Sequence, residues 1–180
     1  MKVTETRLAG VLILEPEIYR DARGYFLESY NQARYAELPG LNVAFVQDNH
    51  SHSKKGVLRG LHLQRRHPQG KLIRVVAGCV WDVAVDVNPN SATFRQWVGV
   101  ELSASNHLQV YVPPGYAHGF CVLSDSADFE YKCTDFYHPG DEVGLLWNDP
   151  ELAIAWPIEN PILSARDASN GSLRSILATA

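Results

Sequence analysis

The feature that most constrains this chain is its punctuation. Runs of about five to nine residues rich in Val, Phe, Tyr and Trp, bounded by Gly, Pro, Asn and Asp, recur from the N-terminus to about Trp147. That is the pattern of an all-β sandwich or barrel, not of strands alternating with long helices. Helix signals are few and short. Asn31 is placed to cap a helix through "QARYAEL", which Pro39 and Gly40 would end, and Asp149-Pro150 starts a turn ahead of "ELAIAW". At 180 residues the chain can bury one sizeable core and is short for two. No repeat, low-complexity tract or linker divides it, so a single domain over residues 1–180 is expected.

Side chains on a strand alternate between faces, so phase indicates which residues look inward. In "VWDVAVDV", Val80, Asp82, Ala84 and Asp86 share one face; Trp81, Val83, Val85 and Val87 share the other, which reads as the one plainly buried face. In "DFEYKCTDFY", Asp128, Glu130, Lys132 and Thr134 fall outward, so Phe129, Tyr131, Cys133, Asp135 and Tyr137 should point in. "VAFVQDN" puts Gln47 and Asn49 in phase with Val43 and Phe45, as a polar continuation of an apolar face. "KLIRVV" aligns Lys71 with Ile73 and Val75, and "AHGFCV" aligns His118 with Phe120 and Val122. So many polar groups in interior phase do not suit a plain core, because each needs a partner to offset its desolvation. A pocket inside a small barrel accommodates them.

His62, between two leucines in "GVLRGLHLQ", is open to three readings. It is a core histidine bonded to a backbone carbonyl, a metal ligand, or a general base. The metal reading draws on the H-x-H pair His50 and His52 and on His118. Against it, no glutamate follows His52 at short spacing, and Arg59 and Lys71 would crowd a cation. The base reading requires a carboxylate to fix the ring, an acid across the pocket such as a tyrosine, and a cation to hold an oxyanion between them. Arg59 and His62 fall on opposite faces of a regular strand, so both serve one pocket only if Gly60 marks a bulge or bend.

A net charge of -4 and a pI near 5.9 give no global field for nucleic acid or an anionic membrane, and neither is expected as a partner. The cysteines Cys79, Cys121 and Cys133 are odd in number and far apart, which suits buried free thiols in a reducing compartment. "MKVTETRLAGVLILEPE" has no long apolar stretch or cleavage pattern, so no signal peptide is expected, and nothing approaches the roughly 20 apolar residues of a membrane span. A cytoplasmic location follows as the expectation.

The segments "DARGYF", "FVQDNHSHS", "LRGLHLQ", "GKLIRV", "VWDVAVD", "VPPGYAHGF", "YKCTDFY" and "LSARD" occur in this order between about residues 5 and 170. In them the sequence closely resembles the dTDP-4-dehydrorhamnose 3,5-epimerases, cupin-fold enzymes of deoxysugar biosynthesis. The resemblance implies an all-β, cupin-type jelly roll with a few short helices, and a homodimer acting on a dTDP-sugar without metal or cofactor. It implies that His62 is the base oriented by Asp167, that Tyr131 is the acid, and that Lys71 steadies the enolate oxygen. Nucleotide and phosphate contacts would fall to Arg23, Glu28, Gln47, Asn49, Arg59, His118, Glu142 and Arg166, with Tyr137 stacked on the thymine. Arg23 and Glu28 would come from the partner subunit. Arg166 stands where many members have lysine, which keeps the charge but changes the donor geometry, and Tyr19 stands where phenylalanine is common. Without the resemblance, Arg23 and Glu28 read as solvated charges, Tyr137 as packing, and Asp167 as a turn or cap residue. Other readings of the chain are a single-carbon epimerase or ketoisomerase on a related dTDP-sugar, a metal-dependent cupin enzyme, and a non-catalytic sugar-binding barrel.

Overall fold

The structure, a computed structural model, describes residues 1–178; residues 179 and 180, the end of the expected domain span, lie outside the described residues. Strands β1 (Lys2–Glu5) and β2 (Leu12–Glu15) pair antiparallel, and β3 (Ile18–Asp21) and β4 (Gly24–Leu27) form a separate hairpin. Helix α1 (Gln32–Ala36) follows, and the Asn31 side chain caps it by accepting from the Arg34 amide, as the sequence leads one to expect. The chain continues through β5 (Gln47–Lys54), β6 (Leu58–Gln64), β7 (Lys71–Ala77), β8 (Cys79–Asp86) and β9 (Trp97–Ser103). Then come β10 (Gln109–Val112), β11 (Tyr116–Val122), β12 (Ser126–Cys133), β13 (Glu142–Gly144), and the helices α2 (Ala165–Ala168) and α3 (Leu173–Ala178).

Two antiparallel sheets result, one ordered β1-β2-β10-β7-β12-β5 and the other β13-β6-β11-β8-β9. From β5 to β12 each connection except β8 to β9 crosses from one sheet to the other, which is jelly-roll winding. The facing surfaces carry Ile73, Val75, Val80, Ala84, Val110, Phe120, Val122 and Phe129 as one buried cluster. Each large side chain in it contributes about 1.5–3 kcal/mol by leaving water. Lys71 and His118 continue the inward phases of β7 and β11, as the strand pattern indicates. Among the described residues no helix is long and apolar enough to cross a membrane.

Three expectations from phase need correction. Strand β8 is buried on both faces: Val80 and Ala84 look between the sheets and carry Asp82 inward with them. Val83 and Val85 lie under Leu152, Ile154, Trp156, Leu173 and Ile176, because the chain after Trp147 doubles back over the outside of the five-stranded sheet. Next, Val43 and Phe45 do not share a face with Gln47 and Asn49. They precede β5 and pack with Tyr35, Leu41, Leu72 and Tyr111 on the outside of the six-stranded sheet. Finally, β12 ends at Cys133, so Asp135 and Tyr137 lie in the loop beyond it and strand phase does not govern them.

Candidate active site

Strand β6 departs from regular geometry where the sequence required it to. His62 pairs with His118 and Arg59 with Phe120, so Gly60 and Leu61 together stand opposite Gly119 alone. This extra residue is a β-bulge, and it turns both Arg59 and His62 to the same cavity. Gly60 has φ +120°, and a Cβ there would lie 2.7 Å from the Gly119 Cα and 2.8 Å from the His118 carbonyl oxygen. Only glycine fits that crossing.

The cavity, of about 590 Å³, lies between the sheets. On one wall His62 Nε2 is 2.5 Å from Asp167 Oδ1, with the aspartate almost wholly buried. Ser164 caps α2 by accepting from the Asp167 amide at 3.0 Å, so the cap falls to Ser164 and the Asp167 carboxylate is left free for the histidine. Burial works against the Asp167 charge. The hydrogen bond and charge of His62, with Ser164 and the Gly60 amide, nonetheless hold its carboxyl below the ordinary range. The other ring nitrogen, Nδ1, lies 3.5 Å from Glu142 Oε1, and Arg166 donates to Glu142 Oε2 at 3.1 Å. The Tyr137 hydrogen bond, ahead of the Glu142 charge, pushes the Arg166 guanidinium above its usual value.

Tyr131 on β12 and Lys71 on β7 also line the cavity, and the Lys71 Nζ is 5.9 Å from the centre of the Tyr131 ring. Burial pushes the Tyr131 phenol up to about 12, with the Cys133 and Glu142 charges adding to the effect, so the phenol holds its proton. Burial also pushes the Lys71 ammonium below its usual value, while Cys133, Glu142 and Asp82 pull it back. His118 Nε2 lies 2.8 Å from Asp82 Oδ2, and both side chains are buried. At the rim, the Tyr137 amide donates to Gln47 Oε1 at 2.9 Å, Gln47 Nε2 to Asn49 Oδ1 at 3.0 Å, and Arg59 Nε to Ser53 Oγ at 3.0 Å.

The cavity thus gathers Gln47, Asn49, Arg59, His62, Lys71, His118, Tyr131, Tyr137, Glu142, Arg166 and Asp167. It does not gather Arg23, which pairs with Asp21 at 2.6 Å and is 90% exposed, or Glu28, which pairs with Arg34 at 3.2 Å. His50 and His52 point to the outside of the sheet and share the Asp128 carboxylate at 2.9 and 3.1 Å, remote in orientation from inward-facing His118. Among the described residues no three His, Cys, Asp or Glu side chains are grouped to hold a metal ion. Sequence reading overlooked Asp82, Ser53 and Ser164 as supports. The signal for Asp82 was its phase with Val80 and Ala84, whose face the structure shows looking between the sheets.

A carboxylate-bound imidazole, a phenol that keeps its proton and an ammonium around one cavity are the groups needed to move a proton at a carbon beside a carbonyl. On a cupin-type jelly roll, they make a cavity equipped for proton-transfer chemistry of the isomerase class. The family profile described as dTDP-4-dehydrorhamnose 3,5-epimerase matches residues 5–175. The chain is 54% identical over 168 residues to the dTDP-4-dehydrorhamnose 3,5-epimerase of Shigella flexneri, covering 93% of each. It is 54% identical over 181 residues to that of Salmonella typhimurium, covering 99% of each. A crystal structure of dTDP-6-deoxy-D-glucose-3,5-epimerase from Legionella pneumophila, in complex with dTDP-4-keto-L-rhamnose, is similar with a TM-score of 0.96 and 52% identity. The match covers 99% of this chain and 95% of that one. The chain belongs to the dTDP-4-dehydrorhamnose 3,5-epimerase family.

Proposed function

We propose that the protein inverts carbons 3 and 5 of dTDP-4-dehydro-6-deoxy-D-glucose, giving dTDP-4-dehydro-L-rhamnose. His62 breaks the carbon–hydrogen bond by taking the proton on its ring, and the electron pair passes to the ketone oxygen beside Lys71. Tyr131 then delivers its hydroxyl proton to the opposite face of the carbon; once His62 has lost its proton to solvent and the Tyr131 phenolate has regained one from it, the same exchange follows at the second carbon. Asp167 orients the imidazole and steadies its cation. The ketone acidifies both carbons, so the reaction calls for no redox or organic cofactor and no metal. The observation that carries this reading is the 2.5 Å His62–Asp167 pair in a cavity it shares with Tyr131 and Lys71.

Gln47, Asn49, Arg59, His118, Glu142 and Arg166 are assigned to the nucleotide and its phosphates, and Tyr137 to the thymine. Arg23 and Glu28 are assigned to the same substrate in a partner subunit of a homodimer. That assignment is supported by the β3–β4 hairpin, which pairs with neither sheet and exposes Tyr19, Tyr25 and Phe26 beside Arg23. We further take the chain to act as one cupin-like domain, and in the cytoplasm, where its three free cysteines would stay reduced.

Proton NMR of the substrate with enzyme in deuterated water tests the assignment. Wild type should exchange the hydrogens at both carbons, and His62→Ala should lose exchange at both by roughly 100-fold or more. Exchange retained in His62→Ala overturns the role given to His62, and exchange at one carbon only makes the protein a single-carbon epimerase.

A further inference from the structure

His62 carries a carboxylate at each end of its ring, and only Asp167 has a part in the proposed proton transfer. A base that directs its Nε2–H to Asp167 must meet the sugar with Nδ1, the nitrogen that Glu142 faces at 3.5 Å. In the resting tautomer Nδ1 is a lone pair opposite an acceptor, and no hydrogen bond joins them. Once Nδ1 has taken the carbon's proton, it is a cationic N–H facing a carboxylate. An interaction that strengthens only as the proton moves speeds the chemical step and leaves binding unchanged.

We propose that Glu142 is a positioning residue for the base, stabilising the imidazolium that forms on Nδ1 and so governing how readily His62 accepts the sugar's proton. This rests on the reading of His62 as the base. The placement is built into the fold: β13 pairs with β6 so that Glu142 stands opposite Gln64, two residues from His62 and on the same face. Arg166 occupies Oε2 and leaves Oε1 to the ring. The Glu142 side chain is only 11% exposed, so water screens its charge weakly. The same carboxylate favours the ammonium of Lys71 and the protonated form of Tyr131.

The charged and titratable groups around the pair come from several elements. Arg166 and Asp167 lie on α2, and Tyr137 lies in the loop before β13. Lys71 is on β7, Arg59 on β6 and Tyr131 on β12, with Cys133, Asp82 and His118 deeper in the site. Arg166 offsets Glu142 directly, so the effect on the base should sit at the low end of what a neighbouring carboxylate produces.

Glu142→Gln keeps the side chain's size and removes its charge. In solvent-exchange assays across pH, its acidic limb of kcat/KM should move down by about one pH unit. Its kcat at neutral pH should fall about three- to tenfold, in addition to any rise in KM from the nucleotide contact. Arg166→Gln, which frees the carboxylate from its partner, should move the same limb upward. An unmoved limb in either folded variant, with the loss carried by KM, overturns the proposal and leaves Glu142 a nucleotide contact. His62→Ala is run alongside: exchange retained there defeats the base assignment itself, while its loss together with an unmoved Glu142→Gln limb defeats only the role given to Glu142.

Discussion

Replacing Gly60 with alanine tests the bend on which the whole site depends. At φ +120° an L side chain is strained, which costs on the order of 1–3 kcal/mol. The added methyl would sit 2.7 Å from the Gly119 Cα and 2.8 Å from the His118 carbonyl oxygen. Both are backbone atoms, so relief requires β6 to move against β11, which adds about 1–3 kcal/mol. The sum of about 2–6 kcal/mol is a large part of the roughly 5–15 kcal/mol that holds a domain folded. The movement falls two residues from His62, so catalysis should suffer beyond the loss of stability. Urea unfolding measures the first effect, and deuterium incorporation at a temperature where the variant is fully folded measures the second, with at least a tenfold loss expected. Gly140→Ala is the control, because a Cβ there meets nothing within 4 Å and its φ is unexceptional. A Gly60→Ala protein with wild-type midpoint and exchange rate would refute the argument that the bulge needs glycine.

Asp167→Asn should lower exchange by roughly 10²–10⁴-fold, since an amide neither orients the imidazole as an acceptor nor steadies its cation. Because the native Asp167 carboxyl titrates below its ordinary value of 3.8, it adds stability above that pH and loses it as pH falls through the lowered native value. Urea midpoints between neutral pH and pH 2 should therefore fall less steeply in Asp167→Asn than in wild type. Lys71→Met should show the opposite balance, with a higher urea midpoint at pH 7 and slower exchange. Burial disfavours the ammonium in the folded state; the gain should shrink as pH rises toward 10.5, where the wild-type lysine sheds its proton in the fold first. A lower midpoint for Lys71→Met at pH 7 would contradict this.

Strand phase sorted the inner residues of β7, β11 and β12 correctly because their bulkiest apolar side chains, Ile73, Val75, Phe120, Val122 and Phe129, fall in the phase that faces between the sheets. It misjudged β8, whose second buried face is covered by a C-terminal segment with no strong signal of its own; α2 and α3 are too short for their hydrophobic spacing to stand out. It also carried the phase of "VAFV" into β5 across a boundary that alternation alone does not reveal. The bulge at Gly60 was legible, because two polar side chains in opposite phase had to reach one pocket and a glycine lay between them. Asp167 was not legible from pattern: its neighbours "SARDASNG" spell a surface turn, and only the motif resemblance pointed inward. The Glu142–His62 contact was hidden as well, since it depends on the register of a three-residue strand.

The two members of the His62–Asp167 pair stand 105 residues apart in the chain. At about 5–20 residues per second of synthesis, the aspartate is made roughly 5–20 s after the histidine. By then every strand of the two facing sheets has been translated, so a nascent barrel can close around His62 before its carboxylate partner exists. The order of assembly separates folding from competence. In the finished protein the same separation runs in reverse: Asp167 is held by a short capped helix at the chain's edge, the kind of unit that opens well before a core does. Heat or mild denaturant should therefore silence the enzyme while its sheets remain intact.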